Sequence, residues 1–488
     1  MWDKDYIYFV IILVAAFISV YIIPVLSYPL FIIFFGLAYI SKKDYIWLAF
    51  IIVLMDAPGN LFSAGMRDDI MRLPLYSFGP GFSFSTIQVF MFVFLVKHFP
   101  YNNFKNNIFH KDLRILFIFI ILVFLYSAIL GMSTGTVINT VRSLLNWAWV
   151  IIFIQVINTP HDVKKIFQLL FPVVLIALGT QIYAFMTGHH LDDMLRGIDP
   201  RATVFIVEEG VDRTARSGSS PYILLLSFII SLYFIFNNHT RYFHSAYLYI
   251  VTASCYLSVF LSGTRGWIIA TTAIIGLVLL TQLNSQNLLR MIGLLIAGIV
   301  IISFAYVVYP NIQIQIDNVF NRIETVDDLA KGDITAGGTL QRWDVRGPYV
   351  FNKYKERPLT GWGFSDKFYE YNDPHVGHHS LLLNVGLIGY IIVIAFFIKW
   401  NIIINRSTKI LNTLDPGVGR PYIIFSIGLI AILIIHSSST QLIGIYLGLY
   451  STKYVVYALL LSAFSVFYNH ELEEYEDNTS ELNNYEMN

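Results

Sequence analysis

Three stretches of this 488-residue chain join residue types that could hold a phosphate or move a proton. In Ser262-Gly263-Thr264-Arg265-Gly266-Trp267, small residues let the chain turn tightly just ahead of an apolar run. Amide groups at a helix start attract anions, and an arginine beside them can bridge two phosphate oxygens. Arg213-Thr214-Ala215-Arg216-Ser217-Gly218 is a second basic, small-residue turn ahead of another apolar run. An arginine in either turn could instead snorkel to lipid headgroups, and one turn alone does not choose between the two. Taken with Arg342, the two turns supply the several donors that a diphosphate needs.

The third stretch is a polar interval from about Pro310 to His379. It carries Arg342-Trp343, Arg346, then Arg357-Pro358-Leu359-Thr360-Gly361-Trp362-Gly363-Phe364, and finally His375, His378 and His379. A histidine near neutral pKa can take a proton from a hydroxyl or donate to one, and it can equally cap a helix start at a membrane interface. A zinc site is disfavoured: no cysteine joins the histidines, and the adjacent His378-His379 would point in different directions on a helix. Neither a metal nor a cofactor is expected. Trp343, Trp362, Tyr369 and Tyr371 could stack on sugar faces, on composition only.

The elements that must position these residues are apolar helices. The chain is 56% hydrophobic and 13% charged, where ordinary soluble domains carry roughly a quarter charged residues. Its mean hydropathy is +0.62. Apolar runs of about 20 residues recur along the whole length without strand-like alternation, so the expectation is an all-α, polytopic membrane bundle of about 12–14 spans. The candidate spans are 6–23, 25–40, 45–57, 85–97, 113–131, 139–157, 166–187, 220–237, 245–261, 266–282, 290–309, 380–399, 421–436 and a last apolar block over 440–468. Helices over 1–309, a large external loop over 310–379 with short amphipathic helices, spans over 380–468 and an acidic, disordered cytoplasmic tail over 469–488 make up the expected organisation. The recurrence of Ile312, Ile316, Val319, Phe320, Ile323 and Val326 suits a surface helix. A second short helix would carry Arg342, Trp343 and Arg346, interrupted by Gly347-Pro348.

Net charge is zero, so nothing argues for nucleic acid, and the single cysteine, Cys255, excludes a disulfide within the chain. The apolar N-terminus reads as a retained first span rather than a signal peptide. Lys42-Lys43, the Lys97–Arg114 cluster, Lys164-Lys165, Arg241, Arg290 and the Lys399–Arg420 cluster mark alternate connections, which places them inside and the Arg265 turn and the polar interval outside.

The order of these blocks resembles the O-antigen ligase/polymerase superfamily of membrane glycosyltransferases. The likeness rests on Ser262–Gly266 entering a span, on Arg342-Trp343 followed by Pro358-Leu359-Thr360-Gly361-Trp362-Gly363, and on His378-His379-Ser380-Leu381 followed by Gly386-Leu387-Ile388-Gly389, with Arg216-Ser217-Gly218 as an upstream arginine element. The family shows His-Asn where this chain has His378-His379. His375 restores the family's spacing to Gly386 but is followed by Val376, and the Ser380-Leu381 context favours His378. The resemblance implies a metal-independent, inverting transfer of a glycan from polyprenyl diphosphate, at the outer face of a bacterial cytoplasmic membrane. It implies Arg265 and Arg216 as diphosphate ligands, Arg342 steadying the leaving group, and His378 on the acceptor hydroxyl. His375, His379, Arg346, Trp343 and Arg213 are secondary candidates. The favoured activity is a polysaccharide repeat-unit polymerase acting with a chain-length regulator and a flippase. A ligase that moves the glycan to a lipid-A core or a protein is the alternative. A lipid-linked sugar transporter is a third reading, disfavoured because the mid-span regions carry little charge and the arginines gather at one face.

Overall fold

The computed structural model describes residues 4–56, 73–77, 83–189, 205–208, 211–214, 221–237, 242–282 except 263, 345–373, 376–438 and 453–486, with Gly79 and scattered residues between 288 and 320. Its helices are α1 Lys4–Phe17, α2 Ser27–Ile40, α3 Asp44–Asp56, α4 Thr86–Lys97, α5 His110–Leu130, α6 Thr134–Leu145, α7 Ala148–Val156 and α8 Pro160–Thr187. They continue with α9 Pro221–Phe236, α10 Ser245–Leu261, α11 Arg265–Thr281, α12 Gly347–Tyr354, α13 Asp366–Tyr371, α14 Gly377–Leu414, α15 Ile423–Ser438 and α16 Lys453–Glu486. Two antiparallel hairpins interrupt them: β1 Leu75–Ser77 with β2 Ser83–Ser85, and β3 Phe205–Glu208 with β4 Val211–Thr214.

The protein is an all-α, polytopic membrane bundle. Five helical stretches among the described residues are long and apolar enough to cross a membrane, namely His110–Leu130, Thr134–Val156, Pro160–Thr187, Gly377–Leu414 and Val455–Glu476. Seven shorter apolar helices accompany them. On α5, Leu113, Leu116, Ile120 and Val123 are buried in the bundle, while Ile115, Ile118, Leu122, Leu125 and Ile129 are exposed. Lipid tails are as apolar as leucine, so such a face is satisfied in a bilayer without a protein partner. Helix starts are set locally. Ser85 and Gln88 form a reciprocal capping box on α4, and Thr159 and Asp162 form one on α8 ahead of Pro160.

Several spans fall where the sequence puts them, α10 and α11 within a residue. Other elements differ. The span expected over 380–399 begins at Gly377 and runs to Leu414, broken by non-helical geometry at Gly386. Gly347-Pro348 begin α12 instead of interrupting it, because a proline in the first turn gives up only an amide that has no helical partner anyway. The expected disordered tail continues α16 as helix to Glu486, and His470 lies 3.3 Å from Glu474 one turn on. Arg213 lies on β4, opposite Ile206, rather than in a turn. Most of the segment 312–329 lies outside the described residues. Of the rest, Ile316 is buried, and Phe320 meets Phe260 edge-on at 5.8 Å.

Two antiparallel pairings bear on the site. Helix α5 runs against α14: Lys399 Nζ donates to Asp112 at 2.5 Å at one end. Towards the other end, Gly389 lies where an added Cβ would meet Phe119 at 3.0 Å. Helix α11 packs along α15, with Gln282 Nε2 donating to the Arg420 carbonyl at 2.7 Å at one end. The opposite ends of this pair carry Arg265 and His436. A stacked contact between Tyr233 and Phe467 at 4.9 Å, with Phe425 at 5.0 Å, ties α9, α15 and α16 together.

Candidate functional site

The break in α14 is where the polar interval enters the bundle. Gly386 has φ 66° and ψ −176°, a region open almost only to glycine. A break within a membrane helix frees carbonyls and amides that need partners. The Pro358–Phe364 element supplies them. The Trp362 and Gly363 amides donate to the Leu383 and Asn384 carbonyls at 2.8 and 2.7 Å. In return, the Leu387 and Ile388 amides donate to the Pro358 and Leu359 carbonyls at 2.8 and 3.1 Å. Asn384 Nδ2 adds a bond to the Gly363 carbonyl. The crossing is close enough to need glycine on both strands: a Cβ on Gly361 would lie 2.4 Å from the Gly386 nitrogen.

Helix α5 fixes the same element from the other side. The Phe364 amide donates to Ser127 Oγ at 2.6 Å, and Tyr126 and Thr360 hydroxyls lie 2.7 Å apart. One step further, the Ser133 amide donates to both Asp366 carboxylate oxygens at 3.1 and 2.9 Å. The Thr136 hydroxyl, then the Ser133 amide, hold the Asp366 carboxyl below its ordinary pKa. Trp362 is 5% exposed, with its indole nitrogen donating to the Lys353 carbonyl at 3.1 Å and Arg357 over its ring at 4.8 Å. It is therefore a packing residue of the clasp and not a platform for a sugar. Tyr369 is likewise engaged, its hydroxyl 3.1 Å from that of Thr140.

His378 and His379 lie in the first turn of α14, ahead of the clasp. His378 Nδ1 lies 3.2 Å from the Tyr390 hydroxyl, and its ring meets that of His436 edge-on at 5.0 Å. A hydroxyl can donate or accept, so the Tyr390 contact suits either neutral tautomer of the ring. The helices approach tightly here, since a Cβ on Gly377 would lie 2.1 Å from the His436 carbonyl oxygen. His379 turns the other way, edge-on to Phe351 of α12 at 6.1 Å. Arg346, at the start of α12, is half-buried and lies 3.7 Å from Asp373. Ser380 Oγ donates to the Asp373 carbonyl at 2.7 Å.

Arg265 is the first residue of α11, after Ser262, whose hydroxyl accepts the Thr264 amide at 3.3 Å. Near the starts of α9 and α11, Tyr222 and Trp267 meet at 6.2 Å. The helices that follow the two basic segments therefore begin side by side. The Arg265 end of α11 lies at the His436 end of α15, and His436 touches His378. The structure so gathers the start of α9, the Arg265 backbone and the His378–His436 pair at one end of the bundle. Arg216, Arg342, Trp343 and His375 lie outside the described residues. Among the described residues no group of three His, Cys, Asp or Glu side chains could hold a metal ion.

Sequence reasoning missed Tyr390, His436, Asn384 and Ser127. His436 offered a signal as the first polar residue after an apolar run. Tyr390 lies beyond the break in α14, where helical periodicity no longer carries over.

A family model described as O-antigen ligase matches residues 248–394. The matched stretch contains Arg265, the clasp and the broken first part of α14. It supports the resemblance to the O-antigen ligase/polymerase superfamily and, in general terms, an activity of that type on lipid-linked oligosaccharides. A comparison with curated proteins gives no match.

Proposed function

We propose that the chain is a polysaccharide repeat-unit polymerase of the bacterial cytoplasmic membrane, with its active site on the external face. The observation that carries this reading is the gathering of the Arg265 helix start, the start of α9 behind Arg216, and the His378 segment at one bundle end. In the proposed reaction, a hydroxyl at the non-reducing end of one lipid-linked repeat unit attacks the anomeric carbon of another glycan. The bond from that carbon to the diphosphate oxygen breaks, and polyprenyl diphosphate leaves. Arg265 and Arg216 hold the diphosphate, and Arg342 meets the charge that builds on its oxygens, a task done elsewhere by a divalent metal. His378 takes the hydroxyl proton. Attack opposite the leaving group inverts the anomeric centre. The external interval aligns the two glycans, and their alignment contributes much of the rate.

A ligase is the second reading, favoured by the description of the matching family model. Purified protein given polyprenyl-diphosphate glycan separates the two. A ladder of chain lengths without added acceptor supports the polymerase, and product formed only with a lipid-A core or protein acceptor overturns it. In cells, Arg265→Ala is expected to abolish polymer while lipid-linked precursor remains outside. Precursor trapped on the cytoplasmic side would point to transport instead.

A further inference from the structure

At the end of the bundle opposite the histidines, a cavity of about 240 Å³ opens between α5, α7 and the connection before α5. Phe104, Leu113, Phe117 and Trp147 form much of its wall, and Lys105 and Arg114 line it as well. Trp147 is buried, whereas Lys105 and Arg114 are exposed, so the cavity has an apolar floor and a basic rim. The Phe104 amide donates to Gln155 at 2.9 Å, which places the rim beside the far end of α7. From Trp147 to Gln155 the chain rises about 12 Å, so the slot reaches well into the hydrocarbon layer. The Asp112–Lys399 pair lies at this end, yet among the described residues neither Lys105 nor Arg114 has a carboxylate within ion-pair distance. Two cations without acidic partners over an apolar slot match a molecule with one phosphate and a hydrocarbon tail.

We propose that this cavity binds an anionic membrane phospholipid, its phosphate between Lys105 and Arg114 and one acyl chain along Phe117 and Trp147. Two basic side chains at a membrane surface correspond to about thirtyfold in preference for an anionic over a zwitterionic lipid. The site is independent of the reaction proposed above.

Trp147 serves as the reporter. The chain has eight tryptophans, so its signal is taken as the difference between the parent protein and Trp147→Phe in phosphatidylcholine nanodiscs. Phosphatidylglycerol with brominated acyl chains is expected to quench that signal at a mole fraction about thirtyfold lower than brominated phosphatidylcholine does. The double variant Lys105→Gln/Arg114→Gln should bring the two lipids to within a fewfold of each other. Native mass spectrometry of the same two proteins should show bound phosphatidylglycerol retained by the parent and lost from the variant. Equal quenching by both lipids in the parent, or an unchanged preference in the double variant, overturns the proposal. So does displacement of phosphatidylglycerol by an equal amount of polyprenyl phosphate, which would make the cavity a site for the carrier lipid.

Discussion

The Trp362 amide donates to the Leu383 carbonyl at 2.8 Å, a carbonyl that α14 leaves free where it breaks. Through this bond and its three neighbours, the external interval completes the hydrogen bonding of a membrane helix. A break of this kind is tolerated only when other polar groups re-satisfy it, and here the backbone of the interval does so. The interval is therefore part of the bundle's own packing and is not merely a loop laid over it.

Gly386→Ala tests that relationship. The added methyl would sit at φ 66° and 2.3 Å from the Leu359 carbonyl oxygen, which is backbone and cannot swing aside. A residue forced into glycine-only geometry with such a clash costs about 3 kcal/mol. A large drop in melting temperature in detergent is expected. Gly361→Ala should behave alike, and the double variant should lose less than the sum because both break one crossing. Independent, additive losses would show that the crossing is not a unit.

Asn384 makes a sharper test of side chain against backbone. It is buried, and its Nδ2 donates to the Gly363 carbonyl. Asn384→Leu keeps the size and removes the donor, leaving that carbonyl without its side-chain donor at a cost of about 1–3 kcal/mol. The loss should appear in the melting temperature and as faster hydrogen exchange at the Phe364 amide, which is held by Ser127 next door. Unchanged exchange at Phe364 would mean that the clasp does not depend on this bond.

Much of the bundle was legible because helix periodicity and apolar length are local properties. The limits of α10 and α11, and a tight turn ending in Arg265, follow from residues within one turn of each other. The clasp was not legible, because its bonds run from backbone to backbone across the chain and leave no trace in residue type. Pro358–Phe364 announced a turn, but its target at Leu383 and Asn384 depends on the break at Gly386. Trp362 and Tyr369 read as sugar platforms for the same reason: aromatic composition does not tell a ring that packs under Arg357 from one that faces solvent. His436 escaped notice because its relation to His378 comes from the packing of α14 on α15.

The Asp366–Ser133 contact gives the clasp a pH dependence. The Asp366 pKa is lowered in the folded protein, chiefly by Thr136 and then by the Ser133 amide. A depressed carboxyl contributes stability that is present above its unfolded pKa, about 4, and is lost as pH falls through the lower folded value. Protection of the Ser133 amide, corrected for intrinsic exchange, should hold between pH 7 and about pH 5 and decline below about pH 4. In Asp366→Asn it should be weaker at neutral pH and no longer change across the acid range. A parental decline that survives in Asp366→Asn would assign the effect to another group.

His378 is the histidine whose ring has a side-chain hydrogen-bond partner, the Tyr390 hydroxyl lying 3.2 Å from Nδ1. For the proposed transfer, loss of a positioned base costs about 10²–10⁴ in rate. His378→Ala is expected to reduce chain-length ladders from polyprenyl-diphosphate glycan by that factor. Tyr390→Phe removes only the hydroxyl beside the ring. It should leave activity within about tenfold of the parent and move the acid limb of the rate profile, because the hydrogen bonding that sets the imidazole's proton affinity has changed. A purely structural tyrosine would lower the amount of folded protein and leave that limb in place. His379→Ala is the decisive comparison, since His379 packs against Phe351 on the opposite side of the helix. If His379→Ala abolishes the ladder while His378→Ala leaves it intact, the acceptor side of the site lies towards α12, and His378 serves only to join α14 to α15.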